Sequence, residues 1–172
     1  MKVTVEELAS NAQRFSVGQR IYLSGIIYTA RDAAHKRIVD ILDQGEKPPF
    51  DLKNSAIYYC GPAPSKPDAI IGACGPTTSS RMDSFTPRMI SEGVKILIGK
   101  GSRNKETAAA IASCKAIYLV ATGGIAALLS KTVKQARIIA FEDLGTEAVY
   151  ELKVEDMPLI VAIDCNGKNI FA

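Results

Sequence analysis

Three unbroken apolar runs, "SAIYYC", "VKILIG" and "AIYLVA", occupy the centre of the chain. A strand with one wet face alternates apolar and polar residues, so a short continuous run is a strand covered on both sides. Between and beside these runs lie two stretches with helical character, around residues 82–93 and 105–114. Strands buried on both faces and alternating with helices form a parallel βαβ layer. That arrangement is the main constraint on the fold.

The flanks add other elements. "TVEELASNAQRF" reads as an opening helix with Thr4 as its cap and Glu7 at the capping-box position. "RIYLSGIIYTA" is β-rich and interrupted at Ser24-Gly25, where a bulge or bend fits. "DAAHKRIVDILD" places Ile38, Ile41 and Leu42 at helical spacing. "AIIGA", "ARIIAF", "AVYELKV" and "PLIVAID" read as further strands, with a short helix over residues 125–134. Both ends of the chain look more antiparallel than the middle. The loop at Pro48-Pro49 is too short to separate domains, so residues 1–172 are expected to form a single compact α/β domain with mixed sheets.

Composition excludes several functions. The net charge is +3 with scattered basic residues, and aromatics make up 6% without tryptophan, which leaves neither a nucleic-acid groove nor a base-stacking platform. No apolar run reaches membrane-spanning length, and the first residues lack the apolar core of a secretion signal, so the expected location is cytoplasmic. Cys60, Cys74, Cys114 and Cys165 lie far apart with no CxxC pair; they read as buried thiols rather than metal ligands or disulfides.

The stretch "GACGPTTSSRMDSFTP" carries the chemistry. After an apolar run, Gly75-Pro76 turns the chain; Thr77, Thr78, Ser79 and Ser80 precede Arg81 and an expected helix. Free N–H groups at a helix start, hydroxyls and a guanidinium fork together make an anion nest. The plainer reading is a capped helix whose hydroxyls satisfy those N–H groups. Three other places repeat the same order of apolar strand, flexible residue and polar group: Arg31 in "YTARDAAHKR", Lys100 in "ILIGKGSRNKE" and Thr122 in "LVATGGIAALL". Ligands of α/β sheets collect at the carboxyl ends of strands, and cations from separate loops suit a dianion. "IGKGS" lacks the rest of a phosphate-loop pattern, and "TGGIAAL" is not a dinucleotide fingerprint.

These segments in this order, "YTARDAAHKR", "CGPTTSSRMDSFTP", "IGKG" and "ATGGIAALL", resemble the β subunit of two-subunit iron–sulfur hydro-lyases. That family contains class I fumarases and L-tartrate dehydratases, and its β region is the C-terminal domain of single-chain members. The resemblance implies a swivelling β/β/α domain and reversible addition of water across a double bond, fumarate to L-malate first and L-tartrate dehydration second. It implies a [4Fe-4S] cluster held by cysteines of a partner α subunit, with no metal ligand here, and an α2β2 assembly. It also implies that Arg31 and Arg81 bind substrate carboxylates, that Lys100 adds a cationic contact, that Thr78 donates a hydroxyl, and that Thr77 binds substrate and takes part in proton transfer. Ser80 departs from the glycine common in relatives, which matters only if the position needs positive φ.

Other residues keep two readings. His35 is an acid/base candidate or a structural residue that orients Arg31. Asp32 caps its helix or pairs with a nearby base; Asp83 holds Arg81 or favours the helix start. Gly123 and Gly124 read as a tight turn. Glu142 and Glu147 form either a carboxylate pair or solvated surface charge. Two rivals to the enzyme are a non-catalytic dicarboxylate-binding module and a structural cap on the α subunit.

Overall fold

The computed structural model describes residues 1–65, 67–121 and 125–172. The Thr122, Gly123 and Gly124 cluster read above therefore lies outside the described residues.

Seven strands form one mixed sheet among the described residues. They are β1 (Lys2–Thr4), β2 (Arg20–Thr29), β3 (Ala56–Tyr58), β4 (Ile96–Gly99), β5 (Ile117–Val120), β6 (Val133–Ala140) and β7 (Val149–Ile163). β2, β3, β4 and β5 run parallel side by side. The long β7 runs antiparallel to β5 at one end and to β2 along most of its length, so the five strands close into a ring. β1 joins β2 and β6 joins β7 outside that ring. The helices are α1 (Val5–Ser10), α2 (Asp32–Asp43), α3 (Thr86–Ser91), α4 (Lys105–Ser113) and α5 (Ala126–Thr132). None is long and apolar enough to cross a membrane.

Closure explains the unbroken apolar runs. Residues on one face of each ring strand, including Leu23, Tyr58, Ile98, Leu119 and Val161, meet in the interior. Their neighbours Ile57, Leu97, Tyr118 and Ala162 point outwards and pack against Ile38 of α2, Met89 of α3 and Ile111 of α4. Both faces of β3, β4 and β5 are thus dry, and alternation has nothing to mark. The two apolar clusters are two faces of one sheet.

Several local expectations hold. Thr4 caps α1 by accepting from the Glu7 N–H at 3.1 Å. The β2–β7 register slips between Leu23 and Gly25, at the expected interruption. The helix after Arg31 spans Asp32–Asp43.

Others need correction. "AIIGA" is not a strand; residues 69–73 form bends and loop. β3 is already flanked by β2 and β4, so the closed ring has no free ladder for it there. Prolines 62, 64 and 67 also remove backbone donors nearby. Ser79–Met82 is a 3₁₀ turn rather than the start of a long helix, and α3 begins only at Thr86 with a proline in its first turn. "AVYELKV" and "PLIVAID" are one strand of 15 residues, in which Asp156 has φ 52°. The antiparallel character expected at the two ends is present where β2 and β6 pair with β7, and the short β1, which the sequence did not suggest, adds a parallel pairing to β2. Ser80 is not among the positive-φ residues, so serine there costs the backbone nothing.

Candidate functional site

Parallel neighbours end at the same edge of a sheet. The chain leaving β2 therefore delivers Arg31, the chain leaving β3 delivers Cys60 and Gly61, and the chain leaving β4 delivers Lys100 to one rim. Residues 77–81 cross that rim. The Thr77 N–H donates to the Tyr59 carbonyl at 2.7 Å, and the Ser79 N–H donates to the Lys100 carbonyl at 3.0 Å. Thr78 and Lys100 form a parallel bridge. In return the Lys100 N–H donates to Ser79 Oγ at 3.0 Å, and the Tyr118 hydroxyl lies 2.8 Å from the same oxygen. Ser79 is fully buried and pins the segment, while Thr78, Arg81 and Lys100 are exposed and Thr77 is half-buried.

Gly99 makes this crossing possible. A Cβ there would fall 1.9 Å from Ser79 Oγ and 2.8 Å from the Tyr59 ring. Gly61 does the same for Arg31, since its Cβ would lie 2.8 Å from Arg31 Nη1. Neither glycine has a positive φ; both serve close approach.

Arg31 occupies the N-cap position of α2 in extended conformation. Its Nε is buried and has no hydrogen-bond partner among the described residues, with Glu147 the nearest carboxylate at 3.9 Å. A buried guanidinium N–H without an acceptor is a donor waiting for one. Glu147, read from sequence as one of a carboxylate pair or as surface charge, instead stands beside Arg31 and accepts from the Ala33 N–H at 3.4 Å.

His35 lies one turn into α2, and its Nδ1 meets the Arg31 carbonyl at 2.9 Å. Burial drives its pKa down from 6.5 to about 4. It is thus a neutral ring donating from Nδ1, packed against Tyr59 and Phe85, and it orients the turn that carries Arg31. Of the two sequence readings, the geometry supports the structural one.

Arg81 projects from the 3₁₀ turn to Asp32 at the start of α2. Its Nε donates to Oδ1 at 3.1 Å, and Nη2 stands 3.0 Å from Oδ2. Asp83 does not hold Arg81. It forms an ion pair with Arg103 at 2.6 Å and accepts from the Asn104 N–H at 2.8 Å. Arg103 also donates to Tyr59 at 3.3 Å and to Thr86 at 2.7 Å, between the rings of Tyr59 and Tyr118. Sequence reasoning missed Arg103 altogether and did not foresee how Ser79 and Glu147 are used, because their main partners lie far along the chain: Asp83 for Arg103, Lys100 and Tyr118 for Ser79, and Ala33 for Glu147.

Two of the four thiols lie side by side in the interior. Cys60 and Cys74 are buried with their sulfurs 3.2 Å apart. The hydrogen bond between them, with burial, pushes the Cys60 thiol up. Among the described residues no three His, Cys, Asp or Glu side chains come together as a ligand set.

A family model described as Fumarase C-terminus matches residues 1–172. The chain is 37% identical over 174 residues to Fumarate hydratase 2 of Leishmania major, covering 100% of this chain and 31% of that protein. It is 40% identical over 178 residues to the Putative L(+)-tartrate dehydratase subunit beta of Methanocaldococcus jannaschii, covering 99% of this chain and 91% of that protein. It is 34% identical over 170 residues to the L(+)-tartrate dehydratase subunit beta of Escherichia coli, covering 95% of this chain and 83% of that one. The chain thus spans less than a third of the fumarate hydratase and most of either tartrate dehydratase subunit.

Proposed function

The chain belongs to the Fumarase C-terminus family, and on that premise we propose that it is the substrate-gripping β part of a hydro-lyase that adds water to fumarate to give L-malate. One observation carries this reading: the strand ends and the crossing segment bring Arg31, Thr77, Thr78, Arg81 and Lys100 to a single rim. A dicarboxylate dianion needs fixed cations on more than one side, and holding it rigidly supplies much of a catalyst's advantage. Arg31 and Arg81 take carboxylates through guanidinium N–H groups, Lys100 adds positive charge, and Thr78 donates its hydroxyl. Thr77, held through its backbone to Tyr59, presents its hydroxyl to the carbon beside a carboxylate for proton transfer.

The enzyme works only with an α-type partner, in an α2β2 assembly whose β part swivels against it. The iron–sulfur cluster belongs to that partner. A second reading, dehydration of L-tartrate, draws on the 40% identity over 91% of the Methanocaldococcus jannaschii tartrate dehydratase subunit.

The test is co-expression with a cysteine-bearing α-type chain, anaerobic reconstitution, and assay against fumarate, malate and both tartrates. Turnover of fumarate supports the first reading and turnover of L-tartrate alone the second. Tight dicarboxylate binding by the isolated chain, with no activity in any assembly, would leave a binding module instead.

A further inference from the structure

The rim contains a carboxylate that the binding scheme does not use. We propose that Asp32 is a positioning residue that aims Arg81 at the substrate; this rests on the dicarboxylate reading above.

The geometry of the fork carries the argument. A guanidinium has two edges that match a carboxylate: a side-on edge made of Nε and Nη2, and an end-on edge made of Nη1 and Nη2. Asp32 takes the side-on edge, with Nε donating to Oδ1 at 3.1 Å and Nη2 at 3.0 Å from Oδ2. The end-on edge is left over, and the Arg81 side chain is 51% exposed. A second carboxylate can dock there without displacing the first. Asp32 Oδ2 is buried and makes no well-directed hydrogen bond, so this guanidinium is the charge that compensates it.

Both partners stand on fixed ground. Asp32 is the first residue of α2, directly after Arg31, so the orienting carboxylate and the second substrate-binding arginine share one backbone step. Arg81 sits two residues before Asp83, which is tied to Arg103 at 2.6 Å. An arginine on its three-methylene stem would otherwise sample many rotamers, and holding it in one reduces what binding must freeze. The sequence offered Asp32 only as a cap or as a partner for some nearby base; the structure makes Arg81 that base.

The test is steady-state kinetics of the assembled complex, with succinate as an inert dicarboxylate inhibitor. Asp32→Asn supplies one acceptor and turns an NH2 group towards the fork, so it loses the side-on grip. KM and the succinate inhibition constant are expected to rise on the order of tenfold, as for one lost charge-assisted hydrogen bond, with a smaller change in kcat. Asp32→Glu keeps a carboxylate and recovers part of the loss. In an Arg81→Ala background, Asp32→Asn is expected to add nothing further. Unchanged inhibition in Asp32→Asn alongside a large loss in Arg81→Ala would overturn the inference and leave the dicarboxylate reading standing. An Asp32→Asn effect that persists in full without Arg81 would overturn it too, because Asp32 would then act through α2. No loss in Arg81→Ala would overturn both.

Discussion

Arg103 and Asp83 form an ion pair of 2.6 Å with side chains 0% and 7% exposed. The pair joins the turn that carries Arg81 to the loop that follows Lys100, so two parts of the candidate site are fastened to each other beneath the surface. A buried pair of this kind is costly to break on one side, because the remaining charge has no water to turn to. Arg103→Met is expected to destabilise the fold by about 3–5 kcal/mol, measured by urea unfolding. The double variant Arg103→Met/Asp83→Asn should recover a substantial part. Equal losses in the single and double variants would mean that the pair is not the source.

Gly99→Ala tests the crossing over β4 in the same way. Its Cβ would meet Ser79 Oγ at 1.9 Å, so the 77–81 segment must shift. Overpacking of this kind costs about 1–3 kcal/mol, and the shift should also raise KM because Thr78 and Lys100 move with it. Adding Ser79→Ala removes the closest obstacle and should restore part of the stability. A Gly99→Ala protein with normal stability and KM would refute the tight crossing.

Much of this architecture was readable from residues alone. The dry strands, the bulge at Ser24-Gly25 and the helix after Arg31 follow from local patterns, and the structure has all of them. What was not legible depends on closure. "AIIGA" looks like a strand, yet its ladder positions are occupied by β2 and β4. Strand β7 looks like two strands because Asp156 interrupts the pattern without ending the pairing. The same limit applies at the site. Strand ends announce Arg31 and Lys100, whereas the partners of Asp32 and Asp83 are chosen by contacts 49 and 20 residues away. Local spacing is silent about such contacts: it allowed Asp32 a basic partner without naming Arg81, and it offered Asp83 to Arg81 when its partner is Arg103.

His35 gives the fold a pH dependence with a definite sign. Its native pKa is about 4 against 6.5 when unfolded, so between those values the unfolded chain binds a proton that the native one does not. Stability is therefore expected to fall as pH drops from 6.5 towards 4 and then to stop changing on this account. The loss is on the order of 3 kcal/mol at most. Thermal melts across this range should show it, and His35→Gln should flatten that limb. An identical slope in the variant would assign the effect to other groups.

Removing either arginine of the clamp should harm turnover more than folding. Arg81→Ala and Arg31→Ala are each expected to cost on the order of 2–5 kcal/mol of transition-state binding, as when one side of a desolvated charge pair is lost. The readout is kcat/KM for fumarate in the assembled enzyme, with melting temperature as the control. Near-normal turnover in both would remove the clamp.

The most direct measurement is a structure of the assembled complex with a dicarboxylate bound. The account predicts ligand carboxylate oxygens at about 3 Å, ordinary hydrogen-bond distance, from the guanidinium groups of Arg31 and Arg81, with the Lys100 ammonium beside them. A ligand seated elsewhere, with those three side chains turned to solvent, would contradict it.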